Sequence, residues 1–455
     1  KSSSTQTAGE VYAMHFIYSG NFIAQLEKSQ FDSIRAVMGI HPADFSWKLE
    51  SEEVFYTPEV ALTFSAEGLG KMTRNFHDFY RQHLIRSKYR NQKRPILINN
   101  WEATYFDFNE EKLAALMDDA AELGVDMFLL DDGWFGNKHP RHNDTQGLGD
   151  WDETRGKLPG GIAGLVETAE GKGIRFGLWI EPEMVNPRSE LYEKHRDWVL
   201  RYPNRDEAYF RNQLVLDLAN PEVQDFVFGV VDRLMTENPG IAYFKWDCNS
   251  PIINAHSAYL AEKQSHLWID YVRGLYSVLE RIGAKYPDLP MMLCSGGGGR
   301  TDYGALRYFT EFWPSDNTDP LERIFIQWGY SHFFPLKSMC AHVTNWNRST
   351  SIKFRTDVAM MCKLGFDIIV KDLPDDELQF CRQALRNYNR LKHTILDGDF
   401  YRLVSPYEGQ HAAMQTVSAD RTGSVVFAYD LNPRYGEQLP AVRLTGLDPD
   451  LRYRI

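Results

Sequence analysis

This sequence of 455 residues lacks several features that define other protein classes. Its five cysteines are an odd and sparse set without a CxxC pair, which argues against a disulfide framework and a structural zinc site. Because no run of about 18 apolar residues is present, the sequence predicts no transmembrane helix. The first nine residues are polar, unlike a signal peptide. The chain starts without Met, however, so the cytoplasm and the periplasm both stay open as compartments.

Clusters of basic residues are missing as well. Asp and Glu number 62 against 50 Lys and Arg, and no Lys/Arg-rich block is present, so we expect no nucleic-acid partner. The histidines are scattered without an HExxH pair, and we expect neither a metal nor another cofactor. What is abundant is aromatic: 11 Trp and 23 Tyr exceed what a core needs and would suit stacking on sugar rings.

Short apolar runs alternate with amphipathic segments from residue 96 onward. This is the pattern of repeated β-α units around a parallel sheet. The helical segments carry start and stop signals, such as Asn109 before the first, Gly124 after it, and Asn220 with Pro221 before a later one. The predicted strands are 96–100, 125–130, 174–180, 243–247, 291–294, 309–313, 339–343 and 366–370. Eight such strands predict a (β/α)8 barrel.

Further β-structure is expected on both sides of the barrel. Residues 53–57 and 61–64 alternate like strands, and residues 72–85 predict a linking helix. Residues 412–417 and 424–429 predict a small antiparallel domain. We therefore divide the chain into residues 1–92, 93–396 and 397–455.

Polar side chains at the ends of the predicted strands are the candidates for chemistry, because the active sites of such barrels lie at the carboxyl ends of the strands. Asp131 and Asp132 end strand two, and Lys245 and Asp247 end strand four. Side chains alternate along a strand, so Lys245 and Asp247 share a face. An ammonium nearby would keep Asp247 ionised, as a nucleophile needs. A purely structural ion pair is the alternative.

Strand six supplies a second carboxylate. Retaining glycosidases need one ionised and one protonated carboxyl about 5 to 5.5 Å apart. Asp316 comes first after the strand and is the candidate acid/base, whereas Asp319 stands before Pro320 and could be the N-cap of the next helix.

Several other features near the strand ends have more than one explanation. The glycine run 296–299 after strand five would let a backbone approach a ligand closely, but it lacks the pattern of a phosphate-binding loop. Trp101, Trp179 and Trp313 could be core residues or a platform for a sugar. The Asp131–Asp132 pair could bind a cation, although hydrogen bonding to vicinal sugar hydroxyls is the preferred role.

These residues together resemble the melibiase-type α-galactosidases of glycoside hydrolase family 36, in the same clan as family 27. The resemblance covers about residues 101–372. Its motifs, in family order, are residues 100–103, 130–136, 177–184, 211–213, 245–247, 294–300 and 315–319.

The resemblance implies a retaining exo-α-galactosidase with Asp247 as nucleophile and Asp316 as acid/base. It also implies that Asp131 and Asp132 bind the 4- and 6-hydroxyls of galactose. The other residues that it implies around the sugar are Trp101, Trp179, Arg211, Lys245 and Trp313, with Cys294 and Gly297 at the 2-hydroxyl. The expected partners are α-galactoside oligosaccharides of the melibiose and raffinose type.

The resemblance further implies an N-terminal β-sandwich domain, of which residues 1–92 would be the last part, and a tetramer. One departure is Ser250, where many members of the family carry Arg. Three alternative functions remain: a raffinose-synthase-like galactosyl transferase, an α-N-acetylgalactosaminidase and a non-catalytic sugar-binding protein. The two carboxylates argue against the third.

Overall fold

The computed structural model describes residues 4–85, 88–438 and 440–455, and its centre is one sheet of eight parallel strands. In chain order the barrel strands one to eight are Leu97–Asn99, Met127–Leu130, Arg175–Ile180, Ile241–Trp246, Met291–Leu293, Glu311–Phe312, Cys340–Thr344 and Lys363–Asp367. Strand one lies between strands two and eight. A bridge between Phe312 and Met339 joins strand six to the start of strand seven and closes the sheet. The predicted (β/α)8 barrel is confirmed.

The strands are apolar on both faces because both faces are buried. Leu97, Met127 and Leu129 belong to a cluster inside the barrel, whereas Ile98 and Phe128 pack in the outer layer. A parallel sheet covered by helices requires this double burial, which explains the continuous apolar runs in the sequence.

Among the described residues, seven α-helices of nine residues or more lie between or after the barrel strands. They are Glu110–Leu123, Gly161–Gly171, Pro221–Glu237, Leu267–Lys285, Pro320–Tyr330, Ile352–Met360 and Asp375–Asp397. The predicted caps are present: the Asn109 and Asn220 side chains accept hydrogen bonds from the first helical turns, and Gly124 takes a left-handed conformation with φ of 95°. Strand five differs from the repeat, since a glycine-rich loop and the short 3-10 helix Ala305–Arg307 follow it.

The loops at the barrel rims contain shorter elements. These are the helices Trp101–Thr104 and Glu190–Lys194, the strand pair Met184–Val185 and Leu214–Val215, and the 3-10 helices Arg196–Trp198, Gln264–His266, Leu336–Ser338 and Val370–Asp372.

Strand eight corrects the sequence prediction of 366–370, because it begins at Lys363 and ends at Asp367. Lys363 points into the barrel, where its Nζ donates to Glu311 Oε1 at 2.5 Å and to the Tyr243 hydroxyl at 3.2 Å. Arg94 Nε lies 3.4 Å from Glu311 Oε2. Lys363 is polar but buried with its partners, so it interrupts the apolar pattern from which the strand was predicted. For this reason the predicted strand begins three residues after the observed one.

The β-structure before the barrel is only partly as predicted. Strand Val11–Ile17 pairs antiparallel with Glu59–Ser65, and Phe22–Lys28 pairs with Ile34–Ile40. The predicted strand 53–57 is wrong, since these residues pair with no strand. Phe55 instead packs on Trp47 with ring centroids 5.0 Å apart. Its burial therefore comes from a side-chain contact and not from a sheet.

The linking helix begins earlier than predicted. It spans Gly68–Phe79 and continues as a π-helix over Tyr80–Leu84, and the 3-10 helix Lys88–Arg90 follows. After the barrel, strands Asp399–Val404, His411–Val417 and Ser424–Asp430 form one antiparallel sheet, which confirms the predicted C-terminal β-structure.

We predict that Lys363→Met destabilises the fold by about 3 kcal/mol, because it leaves the buried carboxylate of Glu311 short of a charged partner. The midpoint of urea unfolding would measure the loss. Lys353→Met is the control, since it removes only an exposed i,i+4 pair with Asp357 and should cost about 0.5 kcal/mol or less. Equal shifts for the two variants would contradict the assignment of a stabilising role to the buried pair.

Candidate active site

The carboxyl ends of the barrel strands surround a cavity of about 160 Å³. Nine of the eleven site residues predicted from the sequence line it: Trp101, Asp131, Asp132, Trp179, Arg211, Lys245, Asp247, Trp313 and Asp316. They come from strands or loops that are far apart in the chain, and closure of the barrel brings them together.

Lys245 pairs with Asp131 at the centre of the cavity. Its Nζ donates to Asp131 Oδ2 at 2.7 Å, and Asn99 Nδ2 donates to the same oxygen at 2.7 Å. Burial alone would lower the pKa of Lys245, but the negative charges of Asp131 and Asp247 raise it above its usual value. Lys245 is therefore a cation, and its direct partner is Asp131 and not Asp247.

Asp132 has a separate partner that the sequence analysis missed. Arg141 is 1% exposed, and its Nη2 donates to Asp132 Oδ2 at 2.8 Å while its Nε donates to Oδ1 at 3.0 Å. Burial raises the pKa of Asp132 and the Arg141 guanidinium opposes the shift. The guanidinium fixes the direction of this carboxylate in the cavity. Arg141 follows no strand, so its position gave no signal in the sequence.

Asp247 directly follows strand four and is buried. Its Oδ2 accepts a hydrogen bond from Trp179 Nε1 at 3.2 Å, and its Oδ1 accepts one from the backbone N–H of Cys248 at 2.9 Å. Burial acts to raise the pKa of Asp247, but the Lys245 charge and the hydrogen bonds outweigh it, and the pKa lies below its usual value. Asp247 is an ionised carboxylate in a protected site, which suits a nucleophile.

Asp316 lies at the mouth of the cavity, where its side chain is exposed. Its Oδ1 accepts a hydrogen bond from Trp313 Nε1 at 3.0 Å. The protein around the carboxyl raises the pKa of Asp316, with Lys245 opposing and the charge of Asp247 adding to the rise. The two carboxyls are thus shifted in opposite directions, one toward the ionised form and one toward the protonated form.

Asp319 has a structural role instead. Its Oδ1 accepts a hydrogen bond from the backbone N–H of Leu321 at 2.8 Å, and its Oδ2 accepts one from Asn347 Nδ2 at 2.8 Å. It is the N-cap of helix Pro320–Tyr330 and does not line the cavity. The N-cap role that the sequence analysis left open for Asp319 is therefore confirmed.

Cys294 and Gly297 are the two predicted site residues that do not line the cavity. Cys294 is 1% exposed and packs in the cluster inside the barrel. Gly297 is pressed against the chain of Ser315 and Asp316. The predicted contact of these residues with a 2-hydroxyl stays a prediction.

Further residues line the cavity that were not among the predicted site residues. They are Asn99, Glu102, Tyr105, Asn249, Met292, Thr318, His342, Trp346 and Asp367. Asn99 and Asp367 are the last residues of strands one and eight, so correct strand ends would have identified them. Asp367 Oδ1 accepts a hydrogen bond from the backbone N–H of Glu102 at 2.8 Å. Burial raises the pKa of Asp367, and the Glu102 charge adds to the rise.

A second cavity of about 690 Å³ adjoins the first. Arg211, Asn249 and Asp316 line both cavities, and Ser250 and Trp268 line the second. Arg211 has a φ of 50°, a strained left-handed backbone for an arginine. Arg211 therefore lies where the two cavities meet.

Within residues 4–85, 88–438 and 440–455, no group of three or more His, Cys, Asp or Glu side chains is arranged to hold a metal ion. In the same residues, no helix combines the length and the apolar character that crossing a membrane requires. All five cysteines are buried and free of disulfide bonds.

A (β/α)8 barrel with paired carboxylates and tryptophans at the carboxyl ends of its strands has the architecture of an enzyme acting on a small polar substrate. Family models define the relationship further. The Melibiase model matches residues 54–398, and the N- and C-terminal domain models of glycosyl hydrolase family 36 match residues 1–50 and 411–455. The chain therefore belongs to the melibiase family, glycoside hydrolase family 36.

Known members are similar over nearly the whole chain. Alpha-galactosidase AgaA of Geobacillus stearothermophilus is 44% identical over 98% of this chain and 62% of its own length, and its crystal structure superposes with a TM-score of 0.95. Alpha-galactosidase 1 of Pediococcus pentosaceus is 38% identical over 99% of this chain and 62% of its own length. Variants of AgaA have been solved in complex with raffinose and with stachyose. The present chain spans less than two thirds of the length of these relatives.

We predict that Lys245→Met moves the acidic limb of the pH profile of kcat/KM to higher pH. Removal of the cation disfavours ionised Asp247, so its pKa rises and a higher pH is needed to deprotonate it. Because the Lys245 charge also lowers the pKa of Asp316, the alkaline limb should move upward too. Lys172→Met, which removes a pair outside the cavity, should leave both limbs in place. Unmoved limbs in the Lys245 variant would show that its charge does not control these two carboxyls.

Proposed function

We propose that this chain carries the catalytic part of a retaining exo-α-galactosidase, which hydrolyses terminal α-linked galactose from oligosaccharides of the melibiose and raffinose type. The observation that carries the proposal is that Asp247 and Asp316 line one cavity with pKa values shifted in opposite directions. The names of the relatives support the substrate class.

In the first step Asp247 attacks the anomeric carbon while Asp316 donates its proton to the leaving oxygen. The substrate is α-linked, so this displacement gives a β-linked galactosyl-enzyme. Asp316, now ionised, then takes a proton from a water molecule that attacks the same carbon, and the second displacement restores the α configuration. This sequence needs the two carboxyls to be about 5 to 5.5 Å apart.

Galactose is recognised by the carboxylates on strand two. Asp131 and Asp132 accept hydrogen bonds from the 4- and 6-hydroxyls of the sugar. Lys245 holds the first carboxylate in place and Arg141 the second. Trp101, Trp179 and Trp313 enclose the apolar faces of the ring. The family resemblance favours Cys294 and Gly297 as the residues nearest the 2-hydroxyl, where an acetamido group would need more room, and this disfavours an α-N-acetylgalactosaminidase. Neither residue lines the cavity of about 160 Å³ itself.

The rest of the oligosaccharide extends into the second cavity. Arg211 and Asp316 line both cavities. The scissile bond would therefore lie where the first cavity meets the second. Ser250 lies in the second cavity, and the replacement of the family's usual arginine at this position would change contacts with the leaving group. Product analysis with added sugar acceptors would distinguish hydrolysis from galactosyl transfer.

We also propose the division into residues 1–92, 93–396 and 397–455, and a tetramer for the full-length protein. Sedimentation of the full-length protein would test the tetramer.

The roles of the two aspartates can be separated by leaving groups and azide. We expect Asp247→Ala to be inactive on all α-galactosides, with azide rescue giving β-galactosyl azide by a single displacement. We expect Asp316→Ala to retain attack on substrates with acidic phenols, because these need no acid, and azide should then give α-galactosyl azide. The anomer identified by NMR is the measurement, and interchanged anomers would reverse the assigned roles.

Asp319→Ala is the matched control for Asp316→Ala. It removes a carboxyl that lies three residues away and caps a helix, so it should lower the free energy of unfolding by about 1 kcal/mol. The dependence of its rate on the leaving group should be the same as in the parent protein. If Asp319→Ala instead showed the azide-rescued pattern, the acid/base would be Asp319.

Galactose recognition by Asp131 predicts a large loss in Asp131→Ala. A site built to hydrogen-bond a hydroxyl loses transition-state binding when the partner is removed, so kcat/KM on an aryl α-galactoside should fall about 100-fold or more. Asp118→Ala, which alters an exposed carboxylate, should keep the parent value. An Asp131→Ala variant with parent activity would remove this residue from the proposed sugar site.

A further inference from the structure

The loop after strand five contacts the chain segments of both proposed catalytic residues. This segment, residues 295–300, is called the glycine loop because four of its six residues are glycine. It lies between the end of strand four, where Asp247 stands, and the segment after strand six, where Asp316 stands. It supplies neither of the two carboxyls.

On one side the glycine loop contacts the end of strand four. The backbone N–H of Gly296 points to Asp247 Oδ1 at an N–O distance of 3.4 Å. The Ser295 hydroxyl donates to the carbonyl oxygen of Cys248 at 2.7 Å. The position of the loop is thus tied to the residue next to the nucleophile.

On the other side Gly297 packs directly against the acid/base segment. A Cβ atom added to Gly297 would lie 2.8 Å from Ser315 Cα and 2.9 Å from the Asp316 backbone N, closer than side chains and backbone can approach. Gly297 also has a φ of 90°, which favours glycine. The backbone of Gly297 therefore packs directly against the backbone of Ser315 and Asp316.

An ion pair anchors the far end of the glycine loop. Arg300 donates from Nη2 to Glu183 Oε1 at 2.8 Å and from Nη1 to Oε2 at 2.9 Å. Glu183 is 0% exposed and also accepts hydrogen bonds from Trp246 Nε1 at 2.8 Å and Tyr271 OH at 2.9 Å. Trp246 directly precedes Asp247. One buried carboxylate thus fixes the loop and strand four to each other.

We propose that the glycine loop is a spacer that sets the separation between the carboxyls of Asp247 and Asp316, with Gly297 as the contact to Asp316 and Arg300 and Glu183 as its anchor. In this role the three are positioning residues that act through the aspartates, and the role is separate from the contact with the 2-hydroxyl that the resemblance implies for Gly297. The inference rests on the proposed function. Asp247 is held by Trp179 and its own strand as well, whereas Asp316 lies in an exposed segment. A displaced loop should therefore move Asp316 more than Asp247.

The test is Gly297→Ala in the full-length protein, with two substrates. Because a misplacement near 1 Å can cost about 100-fold, kcat/KM on melibiose, whose leaving group needs an acid, should fall roughly 100-fold. Activity on an aryl α-galactoside with an acidic phenol should fall by only about threefold, since protonation is not needed there. A plot of rate against leaving-group pKa should therefore become steeper.

Two further variants serve as control and confirmation. Gly124→Ala has a similar φ of 95° but nothing within 4 Å of an added Cβ, so it reports the effect of backbone strain far from the site and should keep the parent's substrate ratio. Arg300→Lys loses the two-point contact with Glu183 and should show the same selective loss as Gly297→Ala, at a smaller size.

The outcomes separate the two proposals. If Gly297→Ala loses both substrates equally, or only in parallel with a loss of thermal stability, the spacer role is overturned. If it keeps the parent rate on melibiose, the role is overturned as well. A parent protein that cleaves neither α-galactoside would overturn the proposed function and, with it, this inference.

Discussion

The buried ammonium of Lys245 holds the centre of the candidate site together electrostatically. It pairs with Asp131 at 2.7 Å and keeps the pKa of Asp247 low although burial acts to raise it. Without this cation, carboxylates brought together at one end of a barrel would repel each other, and at least one would take up a proton. A proton on Asp247 would be on the wrong group, because the proposed chemistry needs it on Asp316. The charge of Lys245 therefore links the proposed recognition of the sugar by Asp131 to the proposed division of roles between Asp247 and Asp316.

A buried cation also keeps a buried carboxyl ionised in the barrel interior, away from the cavity. Glu311 is buried between Lys363, Arg94 and Tyr243, and the favourable contacts outweigh the effect of burial on the pKa of Glu311, which is lowered. The side chains of Glu311 and Lys363 both face the interior of the barrel, where most of the neighbouring side chains are apolar. Such a pair contributes less stability than well-packed apolar side chains would, but the loss of either member is costly. The ion pair therefore adds to the constraint that the buried side chains of Leu364 and Phe366 place on the register of strand eight.

The sequence predicts the barrel and most of its rim, for reasons that also explain the errors. Strands two and four lie in largely apolar runs that carboxylates follow directly, so their ends were found, and with them Asp131, Asp132, Lys245 and Asp247. Strand eight was misplaced because Lys363 is polar and buried, and with it Asp367 was missed. Arg141 could not be found, since its partner Asp132 is brought to it by a loop that follows no periodic pattern.

The two buried glutamates after strand three show why strand ends alone do not make a site. Glu181 accepts hydrogen bonds from the backbone N–H of Asn249 at 2.5 Å and from Gln213 Nε2 at 3.0 Å, while Glu183 holds Trp246 and Arg300. Both side chains are directed to neighbouring segments, and burial raises the pKa of Glu181 well above its usual value. The strands determine which residues meet at the rim. In the spacer proposal, contacts of this kind determine how far apart those residues stand, and the proposed catalysis by two carboxyls depends on that distance.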